Sequence, residues 1–207
     1  MKKLLVDMHY LPSLAYLSQW VEAEEVILEK QEHFVKQTYR NRCYILGANG
    51  VQVLSVPVVG GSKKVAMGEV MIDYKQRWAM EHWRSIQSAY GKAPFFEFFA
   101  DDFRKIYESK PATLWHLNAE LLTLCLKILR LSPVLSFTEK YEKEIPDSII
   151  DLRGRYLTQN QGKQQAGYTP VRYRQIFGNN FVSDLSIIDL IFCTGSEAKN
   201  ILKQSLA

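Results

Sequence analysis

Between positions 9 and 42 the chain crowds together His9, Tyr10, Tyr16, Glu29, Glu32, His33, Lys36, Tyr39, Arg40, Asn41 and Arg42, including two of its four histidines. An imidazole titrates near neutral pH and can take or give a proton, and a nearby carboxylate can orient it or raise its pKa. His9 falls at the carboxyl end of an expected first strand, where open α/β sheets display ligand-binding groups. The competing reading is a histidine that bonds backbone and packs against Tyr10 and Pro12. Glu29, Glu32 and His33 follow the expected second strand and could line the same edge, which makes His9, Glu29 and His33 the candidate catalytic groups. Lys36, Arg40 and Arg42 add positive charge, and Asn41 adds an amide that both donates and accepts. Arginine's planar fork fits carboxylate or phosphate, so this stretch suits an anionic substrate such as a nucleotide-linked sugar or an acyl carrier. Arg40 and Arg42 would share a strand face by period-two alternation, and cross-strand pairing with acidic residues is the alternative.

Other chemistries find less support. His9, Glu29 and His33 lack a recognised ligand spacing, so no metal is expected, and no motif calls for a cofactor. The segment Gly60-Gly61-Ser62-Lys63-Lys64 has the composition of a phosphate loop without its spacing. Cys43, Cys125 and Cys193 are odd in number and form no Cys-x-x-Cys pair, which argues against a disulfide framework or zinc knuckle and points to a reducing cytoplasm. A net charge of +4 from 26 basic and 22 acidic residues, with Lys63-Lys64 and Arg172/Arg174 the only small basic clusters, gives little reason to expect nucleic acid. The opening apolar run is too short for a signal peptide, and no segment reaches the ~18 apolar residues of a membrane span.

The elements that must position these groups begin with a strand over residues 4–8, a turn at Pro12 and a helical stripe at Leu14, Leu17 and Val21. Strands follow over residues 26–29 and 38–46. Asn49-Gly50 signals a hairpin into a return strand over residues 51–59, and residues 69–73 read as another short strand. Helical spacing then dominates: Ala79, Trp83, Ile86 and Tyr90 share one face, residues 95–107 are amphipathic, and Leu114, Leu117, Leu121, Leu124, Cys125 and Ile128 make a long apolar stripe. Residues 134–137 read as a late strand, 154–174 as a long loop with the length of a lid, and 184–192 as an apolar helix, with Ser196 capping a last one. Together these predict an α/β fold of one domain spanning residues 1–207, with a mixed sheet built mainly from the N-terminal third and packed by helices from the C-terminal two thirds.

An ordered set of segments resembles the WbqC-like protein family: His9-Tyr10-Leu11-Pro12 with Tyr16, Val26-Ile27-Leu28-Glu29, Lys36-Gln37-Thr38-Tyr39-Arg40-Asn41-Arg42, Leu54-Ser55-Val56-Pro57-Val58, Trp78, His82, Ala93-Pro94-Phe95-Phe96, Asp151-Leu152-Arg153, Tyr173-Arg174-Gln175 and Leu185-Ser186-Ile187-Ile188-Asp189. The chain departs from many relatives by reading His9-Tyr10-Leu11 for His-Gln-Pro, Glu29-Lys30 for an Asp-Asp pair, and Tyr39 for Trp. The resemblance implies a cytoplasmic transferase that moves an amino-acid or acyl group to a sugar in surface-polysaccharide (O-antigen) biosynthesis. On that reading His9 or His33 deprotonates the acceptor and Glu29 orients it. Lys36, Asn41 and Arg42 bind the anionic donor, and Tyr16 and Asp189 join the substrate pocket. A noncatalytic module that binds nucleotide-sugars or a partner protein is the alternative. Neither reading specifies an oligomeric state.

Overall fold

The computed structural model describes residues 2–60, 64–156 and 167–207. Strand β1 (Lys3–Asp7) leads through a turn into the short helix α1 (Leu14–Ser18) and back to β2 (Glu25–Glu29), which lies parallel to β1. This is a β-α-β unit whose strands are both shielded from water over much of their length, as parallel sheets require. The late segments β5 (Val134–Phe137) and β6 (Ile149–Asp151) add parallel strands at opposite edges, giving the order β5-β2-β1-β6. An antiparallel pair, β3 (Arg42–Gly47) and β4 (Gly50–Ser55), closes at the expected Asn49-Gly50 turn, with Gly50 at φ +102°. The α/β class is as the sequence implies. Parallel and antiparallel pairings are, however, divided between two sheets, and half of the parallel sheet comes from beyond residue 130.

Helices α2 (Trp78–Tyr90), α3 (Phe96–Ser109) and α4 (Leu114–Leu129) follow the three apolar stripes read from the sequence, and α5 (Ile187–Thr194) and α6 (Ala198–Gln204) end the chain. The α5 helix is buried all round, and the hydrophobic core runs unbroken from Leu4 and Val6 through Leu117 and Leu121 to Ile188 and Leu202. Gly195 ends α5 at φ +55°, where an added Cβ would strike the Phe95 ring. Two strand expectations change. Residues 38–41 form a turn, because the Thr38 carbonyl accepts from the Asn41 and Arg42 backbone N–H groups. Residues 69–73 contain only the end of a 3-10 turn (Met67–Glu69) and isolated bridges from Met71 to Thr113 and from Ile72 to Val58. Of the expected lid, 154–174, residues 157–166 lie outside the described residues. No helix among the described residues is long and apolar enough to cross a membrane.

The turn after β1 is fastened from several sides. Leu11 sits at φ +44°, a left-handed conformation that side chains with a Cβ rarely adopt. Tyr10 N–H donates to the Tyr39 carbonyl, Ser186 Oγ donates to the Leu11 carbonyl at 2.9 Å, and Ile187 N–H donates to the Pro12 carbonyl. Asp184, itself at φ +54°, accepts from Ala15 N–H at 2.8 Å and so holds the first turn of α1. Burial pushes its carboxyl up to about 6.

Because folding raises that pKa, the folded chain binds the Asp184 proton more tightly than the unfolded chain. Its contribution to stability is therefore complete below pH ~4 and is lost as pH rises to ~6. Asp184→Asn keeps the acceptor and tolerates the positive φ. Urea unfolding should show the variant losing that pH slope and, above pH 6, gaining at most about 3 kcal/mol over the parent. An unchanged slope would contradict the assignment.

Candidate functional site

The register of β1 and β2 pairs Asp7 with Glu29 at the carboxyl ends of the two central strands. Both side chains are fully buried. Two carboxylates out of water on neighbouring strands, whose backbones run roughly 5 Å apart, require positive partners. Each has its own arginine: Arg40 Nη2 lies 2.8 Å from Asp7 Oδ2, and Arg153 Nη1 donates to Glu29 Oε2 at 2.9 Å. Arg40 also donates through Nε and Nη2 to both oxygens of Glu32 at 2.7 Å. Arg153 is likewise shared, reaching Asp151 as well, and its guanidinium lies 4.8 Å from the centre of the Tyr141 ring.

His9 lies two residues beyond Asp7. Its Nε2 is 3.3 Å from Asp7 Oδ2 without hydrogen-bond alignment, and its ring is stacked between Tyr16, at 4.2 Å, and Tyr39, at 5.4 Å. The His9 side chain has no exposed surface. Tyr16 is held in turn by donating to the Asp7 carbonyl at 2.7 Å, and Tyr156 packs edge-on against it.

The electrostatics follow from this enclosure. Burial is the largest influence on His9 and holds its imidazole below the usual value, although Asp7 pulls the other way, so the ring is neutral at pH 7. Burial alone would raise the Asp7 carboxyl; His9 and Arg40 outweigh it and hold the group below the ordinary carboxylate value. Burial raises Glu32 despite its bonds to Arg40. An ionised Asp7 favours the tautomer with the proton on Nε2, which leaves the Nδ1 lone pair free. The arrangement can therefore orient a neutral imidazole beside a fixed anion.

Glu29 serves a different pocket. Its Oε1 accepts from Thr138 Oγ1 at 2.6 Å and from Gln31 N–H, and with Arg153 it forms the polar wall of a cavity of about 180 Å³. Leu5, Ile27, Ile145, Pro146 and Ile149 make its apolar walls.

The other sequence candidates are placed as follows. His33 and Lys36 are exposed, and no hydrogen bond or ion pair among the described residues joins either to His9. Asn41 is buried, donating to the Val56 carbonyl and accepting from Gln37 N–H. Arg42 is half-buried and donates to Ser55 Oγ. Asp189 is buried on α5, where it accepts from Tyr173 and Gln175. Asp7, Arg40, Thr138 and Arg153 complete the buried network; of these, only Arg40 has a role read from the sequence, as an anion-binding or cross-strand residue. Asp7 carried a usable signal as an acidic residue near the end of an apolar strand, two places before a histidine. No group of three or more His, Cys, Asp or Glu positioned to hold a metal ion occurs among the described residues.

The WbqC-like protein family matches residues 8–201. Uncharacterized protein Rv1507c of Mycobacterium tuberculosis is 28% identical over 231 residues, an alignment covering 98% of each chain. No solved structure matches the chain.

Removing Arg40 leaves Asp7 and Glu32 as uncompensated buried charges, so Arg40→Met should cost about 3–5 kcal/mol in chemical denaturation. The triple variant Asp7→Asn/Glu32→Gln/Arg40→Met should recover a large part of that loss. Stability contributed by Asp7, with its lowered pKa, is present above pH ~4 and lost as pH falls through the folded value. The Asp7→Asn variant should therefore show a weaker acid transition than the parent.

Proposed function

The chain belongs to the WbqC-like protein family, and on that premise we propose that it is a cytoplasmic transferase moving an amino-acid or acyl group onto a sugar in surface-polysaccharide biosynthesis. One observation carries the reading: a neutral, buried His9 whose Nε2 lies 3.3 Å from Asp7 Oδ2, the same oxygen that Arg40 Nη2 approaches to 2.8 Å. This is the pairing needed for general base catalysis, with the carboxylate stabilising the imidazolium that forms.

In the proposed step, Nδ1 of His9 takes the proton of a sugar hydroxyl or amine as that atom bonds to the acyl carbon. The bond from the acyl carbon to the donor's leaving group breaks, the leaving group takes the electron pair, and His9 returns the proton to it. Tyr16 fixes the plane of the imidazole by stacking. Glu29 orients the acceptor from the separate 180 Å³ cavity it lines, which has room for a small acyl or aminoacyl group. Lys36 and Arg42, exposed and half-exposed, offer charge to an anionic donor, and Asn41 holds the turn that presents them. Asp189 anchors the loop that carries Tyr173 and Gln175. His33 is a second, exposed candidate base.

Complete enclosure of His9 favours a second reading, in which the site is structural and the protein binds a nucleotide-sugar or a partner protein without catalysis. Turnover on the first reading requires the cover of Tyr16, Tyr39 and Tyr156 to part.

Purified protein incubated with nucleotide-sugars and a panel of acyl thioesters and aminoacyl adenylates should yield an acylated sugar detected by mass spectrometry. His9→Asn should lower that rate by about 10²–10⁴-fold, with substrate binding retained. His33→Asn should have far less effect. Binding without product in any combination, undisturbed by His9→Asn, would decide for the noncatalytic reading.

A further inference from the structure

Residues 170–183 form a loop apart from the His9 centre. The segment is anchored at one end, where Thr169 N–H donates to the Ser205 carbonyl, and at the other by Asp184 on α1. Between these points Gln175 ties the two arms of a loop together: its Nε2 donates to the Val182 carbonyl at 2.8 Å and its Oε1 accepts from Val182 N–H at 2.9 Å. The same amide and the Tyr173 hydroxyl fasten the loop to buried Asp189. Gly178, at φ +84°, makes the tip. A side-chain amide used on both its donor and acceptor sides, over a buried carboxylate, gives the loop a fixed shape that its lack of regular secondary structure would not.

That shape encloses a polar hollow of about 390 Å³, lined by Arg172, Arg174, Asn179, Asn180 and Phe181 above the Tyr173 and Gln175 ties. Arg172 and Arg174 alternate along the chain and are exposed, and among the described residues neither forms an ion pair. The arginines that support Asp7 and Glu29 are, by contrast, fully committed to carboxylates. Phe181 packs edge-on against Tyr173, and the Arg172 guanidinium lies 6.0 Å from the centre of its ring. Two uncommitted guanidinium forks and two exposed amides recognise anionic oxygens, and the volume exceeds what one phosphate fills. An aromatic face beside them suits a base or sugar ring.

We infer that this loop binds the diphosphate of a nucleotide-linked ligand, with Arg172 and Arg174 on the phosphates and Phe181 against the attached ring. The identification of that ligand as the sugar acceptor rests on the transferase reading; the binding site does not. One arm of the loop leads to the residues around the proposed catalytic centre, since Asp184 closes the segment and holds Ala15, next to Tyr16, which stacks on His9.

Titration calorimetry of the full chain with inorganic pyrophosphate and with uridine diphosphate tests the inference. The nucleotide should bind more tightly than pyrophosphate, and both affinities should fall with added salt. Arg172→Ala and Arg174→Ala should each weaken both probes at least about tenfold, without changing the melting temperature of these exposed positions. Phe181→Ala should remove the preference for the nucleotide and leave pyrophosphate binding largely intact. No binding of either probe, or affinities unchanged in the double arginine variant, would overturn the site. Equal affinity for both probes would overturn the ring contact. Binding lost in the arginine variants but no sugar acylated under any condition would sink the transferase reading and leave the site standing.

Discussion

The register that sets Asp7 against Glu29 governs the arrangement of everything around it. A parallel sheet buries its central strands on both faces, and an ionised side chain at the end of such a strand is tolerated only beside a counter-charge with suitable geometry. Two adjacent carboxylates double that requirement. The chain meets it with one guanidinium from the turn after β2 and another from the end of β6, which fixes where both segments must lie. Arg40 is held at its backbone by Asn118, whose Nδ2 donates to the Arg40 carbonyl at 2.8 Å, so the longest apolar helix of the core also supports the charge network. Packing and electrostatics are thereby joined at one residue.

A second buried polar cluster gives a useful contrast. The Tyr10 hydroxyl bonds His82 Nδ1 at 2.9 Å and also the Tyr107 hydroxyl, with Trp78 edge-on to the His82 ring. Burial lowers His82 to about 4 with no carboxylate in this cluster to oppose it. His82 thus serves as a neutral hydrogen-bonding group that locks α2 and α3 onto the turn after β1. His9 is also buried but sits beside an ionised carboxylate, and that difference in neighbours, more than residue type, separates a structural imidazole from a candidate base.

Much of the framework was legible because it depends on local pattern. The three apolar stripes, the Asn49-Gly50 turn and the strand over residues 134–137 each follow from spacing within a few residues. The candidate site was legible only in part. His9 and Glu29 could both be assigned to the carboxyl ends of strands of one β-α-β unit, while the cavity that Glu29 lines does not include His9. Arg153, more than a hundred residues from Glu29, could not be assigned to it, since three-residue β6 carries too short a pattern to register as a strand. His33 and Lys36 were drawn into the site by sequence proximity, yet the irregular connection over residues 30–38 leaves them exposed. Arg40 was read as one of two equivalent strand residues. The turn at residues 38–41 breaks that equivalence, burying Arg40 between Asp7 and Glu32 and leaving Arg42 against Ser55.

The edge strands β5 and β6 have a consequence for biosynthesis. Asp7 and Glu29 precede by more than a hundred residues the strands that complete their sheet, which begin at residues 134 and 149, and the Glu29 counter-ion follows at residue 153. Until then the β-α-β unit has a partner for neither of its open edges, and the nascent chain carries a carboxylate destined for burial without its cation. Parallel pairings between distant segments are slow to form and leave strand edges exposed while they do. The sheet around Asp7 and Glu29 therefore cannot close until a segment more than a hundred residues downstream has been made, so the first strands depend on long-range pairing for their burial.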